Sequence, residues 1–162
     1  MSITPLPSAP ERLGPPRELV SRTSFLLKRL GFKVKERAQE ALEPTGLNPQ
    51  HHAVLSLLDE GTCTAQWRIA DRLAYDRSQL VGLLDDLEER GLVARKRDPV
   101  DRRRHLVSLT PQGTKALGEL RTIASEVEKE FLAPLDAGER RTLHSLLLKL
   151  AEHHDARYGS QA

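Results

Sequence analysis

Residues Leu92–Leu109 read LVARKRDPVDRRRHLVSL. The segment Leu92–Arg97 reads as a strand, and His105-Leu106-Val107-Ser108-Leu109 alternates apolar and polar residues as a second strand does. Between them Asp98-Pro99-Val100-Asp101 is turn chemistry, since proline pre-sets φ and aspartate hydrogen-bonds its own backbone two residues on. The stretch is therefore a β-hairpin with a basic tip. Arg95–Arg104 carries six basic and two acidic residues, a local charge of +4 in a chain whose net charge is +2, so the rest of the chain is mildly acidic. A basic patch on such a body is the footprint of a phosphate contact. In Asp101-Arg102-Arg103 the carboxylate is placed to pair with the arginine two residues on and to fix its guanidinium. A hairpin that is merely charged and solvated is the plainer alternative.

Upstream of the hairpin the apolar period is helical. Arg77–Arg90 places Leu80, Leu83, Leu84 and Leu87 in one stripe about 100° wide, and its 14 residues reach about 21 Å. Asp76, with Gln79 three residues on, resembles a capping box, and Gly91 ends the segment. Ala65–Ala74 forms a preceding helix, capped by Thr64, with Trp67, Ile69, Ala70 and Leu73 inward. Before it lies a helix over Pro49–Glu60, started by Asn48-Pro49 and stopped by Gly61. Two short helices joined by the Tyr75-Asp76 turn and followed by a basic hairpin make a winged helix-turn-helix.

The outer segments are longer helices. Arg17–Leu42 repeats apolar residues at helical spacing through Leu19, Phe25, Leu26, Leu30, Val34 and Ala38, weakened at Gly31, and stops near Pro44 and Gly46. Thr110-Pro111 starts a helix to about Ala133, and Asp136 with Glu139 caps a last one over Ala137–Tyr158, lined by Leu143, Leu146, Leu147 and Leu150. A second copy of the chain is the simplest cover for such apolar faces. The fold class is thus mainly α with a small β-hairpin wing. The expected division is a flexible proline-rich arm over residues 1–16, dimerisation helices over 17–48 and 111–162, and a DNA-binding lobe over 49–110.

Within that lobe, the acidic residues of Arg77–Arg90 all fall in its C-terminal half, which should stand off a polyanion. Its first turn, with Arg77, Ser78 and Gln79 and the positive end of the helix dipole, should enter the major groove. Gln79 is a candidate reader of adenine, Val81 a contact for a thymine methyl, and Gly82 leaves room for close approach. Each of these is equally readable as an ordinary exposed helix residue. Arg103 suits a narrow minor groove, with Lys96, Arg97, Arg102 and Arg104 on phosphates.

The stretch Leu92–Gly113, LVARKRDPVDRRRHLVSLTPQG, resembles the wing signature of the MarR family of transcription regulators. Ile69–Val93, IADRLAYDRSQLVGLLDDLEERGLV, resembles that family's helix-turn-helix. The resemblance covers nearly the whole chain after residue 16. It implies a mostly helical winged-helix fold, a homodimer held by the terminal helices, and a double-stranded, pseudo-palindromic DNA operator. It also implies that Asp101 orients Arg103 and that Arg103 enters the minor groove. Many members carry Thr-Arg where this chain has Val81-Gly82, which puts base readout at those positions in doubt. Members of the family are often released from DNA by small aromatic acids or phenols. That implies a pocket between the dimerisation helices and the DNA-binding lobe, for which Phe25, Phe32, His51, His52 and Trp67 are candidate linings; ordinary core packing is the alternative for the aromatics.

Other classes find less support. Hydrophobic residues make up 38% and charged residues 30% of the 162. No apolar run approaches the roughly 18–20 residues that span a bilayer. The arm lacks the apolar centre of a signal peptide, so the expected location is the cytoplasm, with no membrane partner. The single Cys63 has no intrachain disulfide partner, and a peroxide-sensing role competes with that of a small buried hydrophobe. The adjacent pairs His51-His52 and His153-His154 point about 100° apart on a helix, which does not suit chelation by each pair, so no metal and no cofactor is expected. No nucleophile elbow, phosphate-binding loop, H-E-x-x-H or glycine-rich dinucleotide turn is present, and no catalytic residue is expected. A metal- or thiol-responsive regulator, or a helical protein-interaction module, are the alternatives.

Overall fold

The computed structural model describes residues 14–61 and 65–159. The chain divides into two compact units, Met1–Lys33 and Val34–Ala162. In the first, α1 (Arg17–Val20) is separate from the start of α2 (Thr23–Leu42). This corrects the single helix expected over Arg17–Leu42. Ser21 Oγ donates to the Glu18 carbonyl at 2.7 Å, and the Arg22 N–H reaches back only three residues, to Leu19. A serine hydroxyl that competes for a helix carbonyl favours such a tight turn over a continued helix.

In the second unit α2 ends in a 3-10 turn, Glu43–Thr45, closed by Gly46 at φ +68°. That left-handed conformation is what glycine supplies at a helix end. Asn48 then caps α3 (Pro49–Asp59), its Oδ1 accepting from the Gln50 and His51 N–H groups at 3.0 Å each. The helix α4 (Gln66–Leu73) begins after Ala65, one residue later than expected, and ends at Ala74 with φ +54°. The expected cap Thr64, the candidate thiol Cys63 and most of the proline-rich arm lie outside the described residues. Next comes α5 (Arg77–Glu89). Strands β1 (Val93–Arg97) and β2 (His105–Leu109) pair antiparallel from Val93–Leu109 to Arg97–His105, and Ala65 adds one bridge to Leu106. Then follow α6 (Pro111–Phe131) and α7 (Ala137–His154), the latter with the Asp136–Glu139 capping box. The last helix stops four residues short of the expected Tyr158. Asp155 turns extended and its carboxylate takes the Arg157 backbone N–H at 3.0 Å and the Arg157 Nε at 2.8 Å, a local alternative to another helical turn.

The core joins α3, α4, α5, β1, β2 and α6. Val54, Leu55, Ile69, Leu80, Leu84, Leu87, Val107, Leu117 and Leu120 are its fully buried side chains. Burial of each such leucine contributes about 1.5–3 kcal/mol. The leucine stripe of α5 lies in this core, so the opposite face of α5 is turned outward.

The base of the hairpin is tied to α6 by a close backbone approach. Thr110 Oγ1 donates to the Gly91 carbonyl at 2.6 Å and accepts from the Gly113 N–H at 3.0 Å, and the Thr110 N–H donates to the Leu92 carbonyl. A Cβ at Gly113 would stand 1.9 Å from the Leu92 carbonyl oxygen. Gly113→Ala therefore has to prise α6 from the hairpin, and by the usual cost of overpacking it should destabilise the fold by about 1–3 kcal/mol in urea denaturation.

His51 is buried at 5% exposure with both ring nitrogens engaged. Nδ1 accepts from the Asn48 N–H at 3.3 Å, completing the α3 cap, and Nε2 faces Asp86 Oδ2 of α5 at 3.2 Å. Burial lowers its pKa below 6.5, Arg90 adds to that, and Asp86 opposes it. His52 is lowered too, by burial and then by Arg121. A histidine with a depressed folded-state pKa takes up its proton more readily when unfolded, so its stabilising contribution is whole above the unfolded value and is lost as pH falls toward the folded one. Unfolding free energy should be level above about pH 6.5 and decline below it. Glutamine at the third helical position also closes a capping box, so His51→Gln should retain neutral stability and flatten that decline. A urea series across pH checks both.

Candidate nucleic-acid interface

The outward face of α5 begins with a rigid N-terminus. Asp76 Oδ1 accepts from the Ser78 N–H at 2.7 Å, the Gln79 N–H at 3.3 Å and Ser78 Oγ at 2.6 Å. These bonds to the charged form, the Ser78 hydroxyl's first, hold its carboxyl below the usual carboxylate range. Ser78 supplies the extra side-chain bond that the sequence assigned to Gln79, which leaves the Gln79 amide outward. Arg77, Ser78, Gln79, Val81 and Gly82 are all exposed. A Cβ at Gly82 would meet nothing within 4 Å.

The acidic half of α5 holds the hairpin. Glu88 Oε2 accepts from Arg95 Nε at 2.8 Å, Glu88 Oε1 from the Arg95 backbone N–H at 3.1 Å, and Asp85 Oδ1 pairs with Arg95 Nη2 at 2.6 Å. The Arg95 hydrogen bond, foremost, lowers the Glu88 pKa, and the Glu88 bond raises that of Arg95. Asp86 pairs with Arg90 at 2.9 Å besides facing His51. Arg95 is thus a brace, and the local charge of +4 overstates what the tip turns outward. The sequence shows Arg95 as one cation among six; nothing in its spacing identifies a partner seven residues back across the Gly91 turn.

The tip itself is built by aspartates. Asp98 Oδ1 accepts from the Val100 N–H at 2.8 Å, and the Asp98 N–H closes the loop onto the Arg104 carbonyl at 3.0 Å. Asp101 Oδ1 accepts from the Arg103 backbone N–H and from Arg103 Nε, each at 3.1 Å, while its Oδ2 pairs with Arg104 at 3.2 Å. The Arg103 hydrogen bonds lower the Asp101 pKa. The Arg103 side chain is 91% exposed to solvent. Lys96, Arg97, Arg102 and Arg104 are also exposed. The structure therefore brings the outward residues of α5 and the arginines of the tip to one lobe.

Of the five candidate effector contacts, the three in the second unit, His51, His52 and Trp67, are not brought together. A cavity of about 360 Å³ lies between the C-terminal half of α2, the start of α3 and α6, walled by Val34, Leu42, His52, Ile123, Val127 and Phe131. His52 lines it. His51 does not, because its ring is turned into the cap and toward Asp86. Trp67 does not; it lines a separate cleft with Arg77, Val81, Arg103 and Arg104. Phe25 and Phe32 belong to the first compact unit, where Phe32 is 67% exposed. Spacing along a helix predicts that these aromatics face something, not which element faces them. Among the described residues no group of three or more His, Cys, Asp or Glu is placed to hold a metal ion, and no helix is long and apolar enough to cross a membrane.

A model of the MarR family matches residues 45–104. A Thauera aromatica protein described as a putative transcriptional regulatory protein for the hcr operon is 33% identical over 105 residues, 65% of this chain and 63% of that protein's own length. A transcriptional regulator (MarR family) from Rhodococcus sp. RHA1 superposes with a TM-score of 0.72 at 32% identity, covering 79% of this chain and 91% of that one. The transcriptional repressor CouR bound to a 23-mer DNA duplex superposes with a TM-score of 0.77 at 34% identity, covering 83% and 96%. CouR from Rhodococcus jostii RHA1 bound to p-coumaroyl-CoA does so at 0.71 and 32%, covering 84% and 96%.

Open space around Gly82 means that glycine there serves no internal packing. Gly82→Ala should then stabilise the isolated protein by about 0.5–1 kcal/mol through helix propensity. Urea denaturation at neutral pH measures it; destabilisation would show that the site is crowded after all.

Proposed function

This chain belongs to the MarR family of transcriptional regulators, and from that premise we propose that it is a homodimeric repressor that binds a pseudo-palindromic DNA operator and is released by a small aromatic or phenolic ligand. The observation that carries the DNA-binding part is the Asp101–Arg103 pair at the wing tip, with Arg103 projecting into solvent on the lobe that also bears the outward face of α5. In this reading two copies of α5 enter successive major grooves, about 10 base pairs apart, with Arg77, Ser78, Gln79, Val81 and Gly82 at the bases and backbone. Arg103, held by Asp101, enters the flanking minor groove, and Lys96, Arg97, Arg102 and Arg104 meet phosphates. That the repressor CouR is seen on a DNA duplex supports the assignment.

Residues 49–110 form the DNA-binding lobe, and residues 17–48 and 111–162 the dimerisation helices. Leu26, Leu27, Leu30 and Phe32 on α2, and Leu146, Leu147, Leu148 and Leu150 on α7, are exposed apolar side chains for a second copy to cover. The cavity walled by His52, Val34 and Phe131 has the volume and apolar lining of a small aromatic site, and CouR with p-coumaroyl-CoA gives the chemical precedent. We read the chain as a cytoplasmic binding protein and not an enzyme. A protein-interaction module would have the acidic half of α5 to offer a partner, but Asp85 and Glu88 are paired with Arg95, and Asp86 with Arg90 and His51.

Gel retardation of a duplex enriched from a random pool by the wild-type protein tests the assignment. Arg103→Ala should weaken binding by about 1–3 kcal/mol and reduce the salt slope by about one. A variant that binds as tightly as wild type removes the wing from the interface. Release of the duplex by hydroxylated aromatic acids, absent in a His52→Leu variant, tests the effector cavity.

A further inference from the structure

Trp67 is the single tryptophan of the chain, and it is 46% exposed. An indole left half in water on a short helix forgoes stabilisation that burial would give it, so its position calls for a cause. Its surroundings supply one. On one flank is a cleft of about 340 Å³ between α4, the first turn of α5 and the wing, which Trp67 shares with Arg77, Val81, Arg103 and Arg104; among the described residues its wall carries no carboxylate. On the other flank is a hollow of about 360 Å³ bounded by Tyr75, Arg77 and Arg157, with Asp71 its one acidic side chain. Arg157 is fixed there by its pair with Asp155 and by a 3.3 Å hydrogen bond from Nη1 to the Asp71 carbonyl. The Arg68 guanidinium lies 5.2 Å from the Trp67 ring centroid. An exposed aromatic surrounded by guanidinium groups is complementary to a polymer that alternates anionic phosphates with apolar sugar edges.

We propose that Trp67 is a DNA-contact residue. Its ring packs against the deoxyribose of the strand that separates the groove entered by α5 from the groove entered by the wing, and its Nε1–H donates to a phosphate oxygen. Arg68 and Arg77 neutralise the phosphates on either side. The assignment rests on the regulator reading and adds to it a contact from the first helix of the helix-turn-helix, and it removes Trp67 from the effector cavity.

Because there is one tryptophan, its emission reports this site alone. The unmodified protein is titrated with a duplex of about 30 base pairs enriched from a random pool, and separately with p-coumaroyl-CoA. Emission should shift, and acrylamide quenching fall, with the duplex and not with the thioester. Trp67→Ala should raise Kd for the duplex about tenfold while leaving the salt slope unchanged, and Trp67→Phe should fall between. Arg77→Ala, in contrast, should lower the salt slope. A protein that retards the duplex with unchanged Trp67 emission and quenching overturns the proposal, as does Trp67→Ala binding within about twofold of wild type. A response to the thioester alone returns Trp67 to an effector site and also overturns it. If Trp67→Ala unfolds, Trp67→Phe and the emission of the unmodified protein decide. A wild-type protein that enriches no duplex overturns this proposal together with the regulator reading, whereas the preceding outcomes sink this proposal alone.

Discussion

Arg95 couples the two surfaces on which the proposed interface depends. One guanidinium from β1 is gripped by Glu88 and Asp85 of α5, and the same Glu88 also accepts the Arg95 backbone N–H. The leucine stripe of α5 supplies cohesion, but apolar burial is non-directional and would tolerate a slide of the hairpin along the helix. The three-way grip does not tolerate it: charge-assisted bonds with a planar donor set both distance and orientation. Half-burial of the guanidinium makes each bond stronger than its counterpart in open water and makes an unpaired Arg95 costly.

Two other polar links complete the anchorage of α5. At the C-terminal end of the helix, Gly91 and Leu92 give their carbonyls to Thr110, and Gly113 lets α6 come close enough for that. At mid-helix, Asp86 faces His51, whose other ring nitrogen closes the cap of α3. Each link joins α5 to a different neighbour — the hairpin, α6, α3. Among the described residues the N-terminal half of the helix carries no comparable polar tie to the body, and only Leu80 there is buried, which leaves Arg77, Ser78, Gln79, Val81 and Gly82 outward. Rigidity behind a bare face is the arrangement expected of a surface that must meet another body without reordering.

Much of this was legible in the sequence where the signal is local. Asn48-Pro49, Thr110-Pro111 and Asp136 with Glu139 act within three residues of themselves, and the structure uses all three as caps. The change from helical to alternating period at Leu92 placed both strands. Local signals failed where two local interactions competed. Ser21 could continue a helix or bond back to Glu18, and Asp155 could end a helix or extend it; composition does not rank the two. They also failed wherever a side chain chose between partners remote in sequence. On sequence His51 is as good a candidate lining as His52, yet adjacent positions on a helix diverge by about 100° and only His52 reaches the cavity. Arg95 looked like one more cation of the tip, and Trp67 looked like an inward aromatic. In each case the deciding contact lies on an element that spacing alone does not bring near.

The carboxylate of Asp101 in an otherwise cationic tip shows what such pairs are for. An exposed ion pair is screened by water and adds little to the stability of a fold, so Asp101 is poorly explained by stability. It also subtracts a charge from a surface proposed to meet a polyanion. What it provides is restraint. A free arginine side chain carries about 2 kcal/mol of rotamer entropy that binding would have to remove. Here Asp101 meets both the backbone N–H and the Nε of Arg103, which closes a small ring and leaves the terminal nitrogens pointing outward. The ordering cost is then met in the folded protein before any partner arrives. The same logic recurs at Asp155 and Arg157, where the carboxylate again takes the backbone N–H and the Nε of the arginine two residues on. There the oriented guanidinium is turned inward, onto the Asp71 carbonyl. One local device thus serves two ends, and the direction in which the chain presents it decides whether the arginine holds the protein together or reaches out of it.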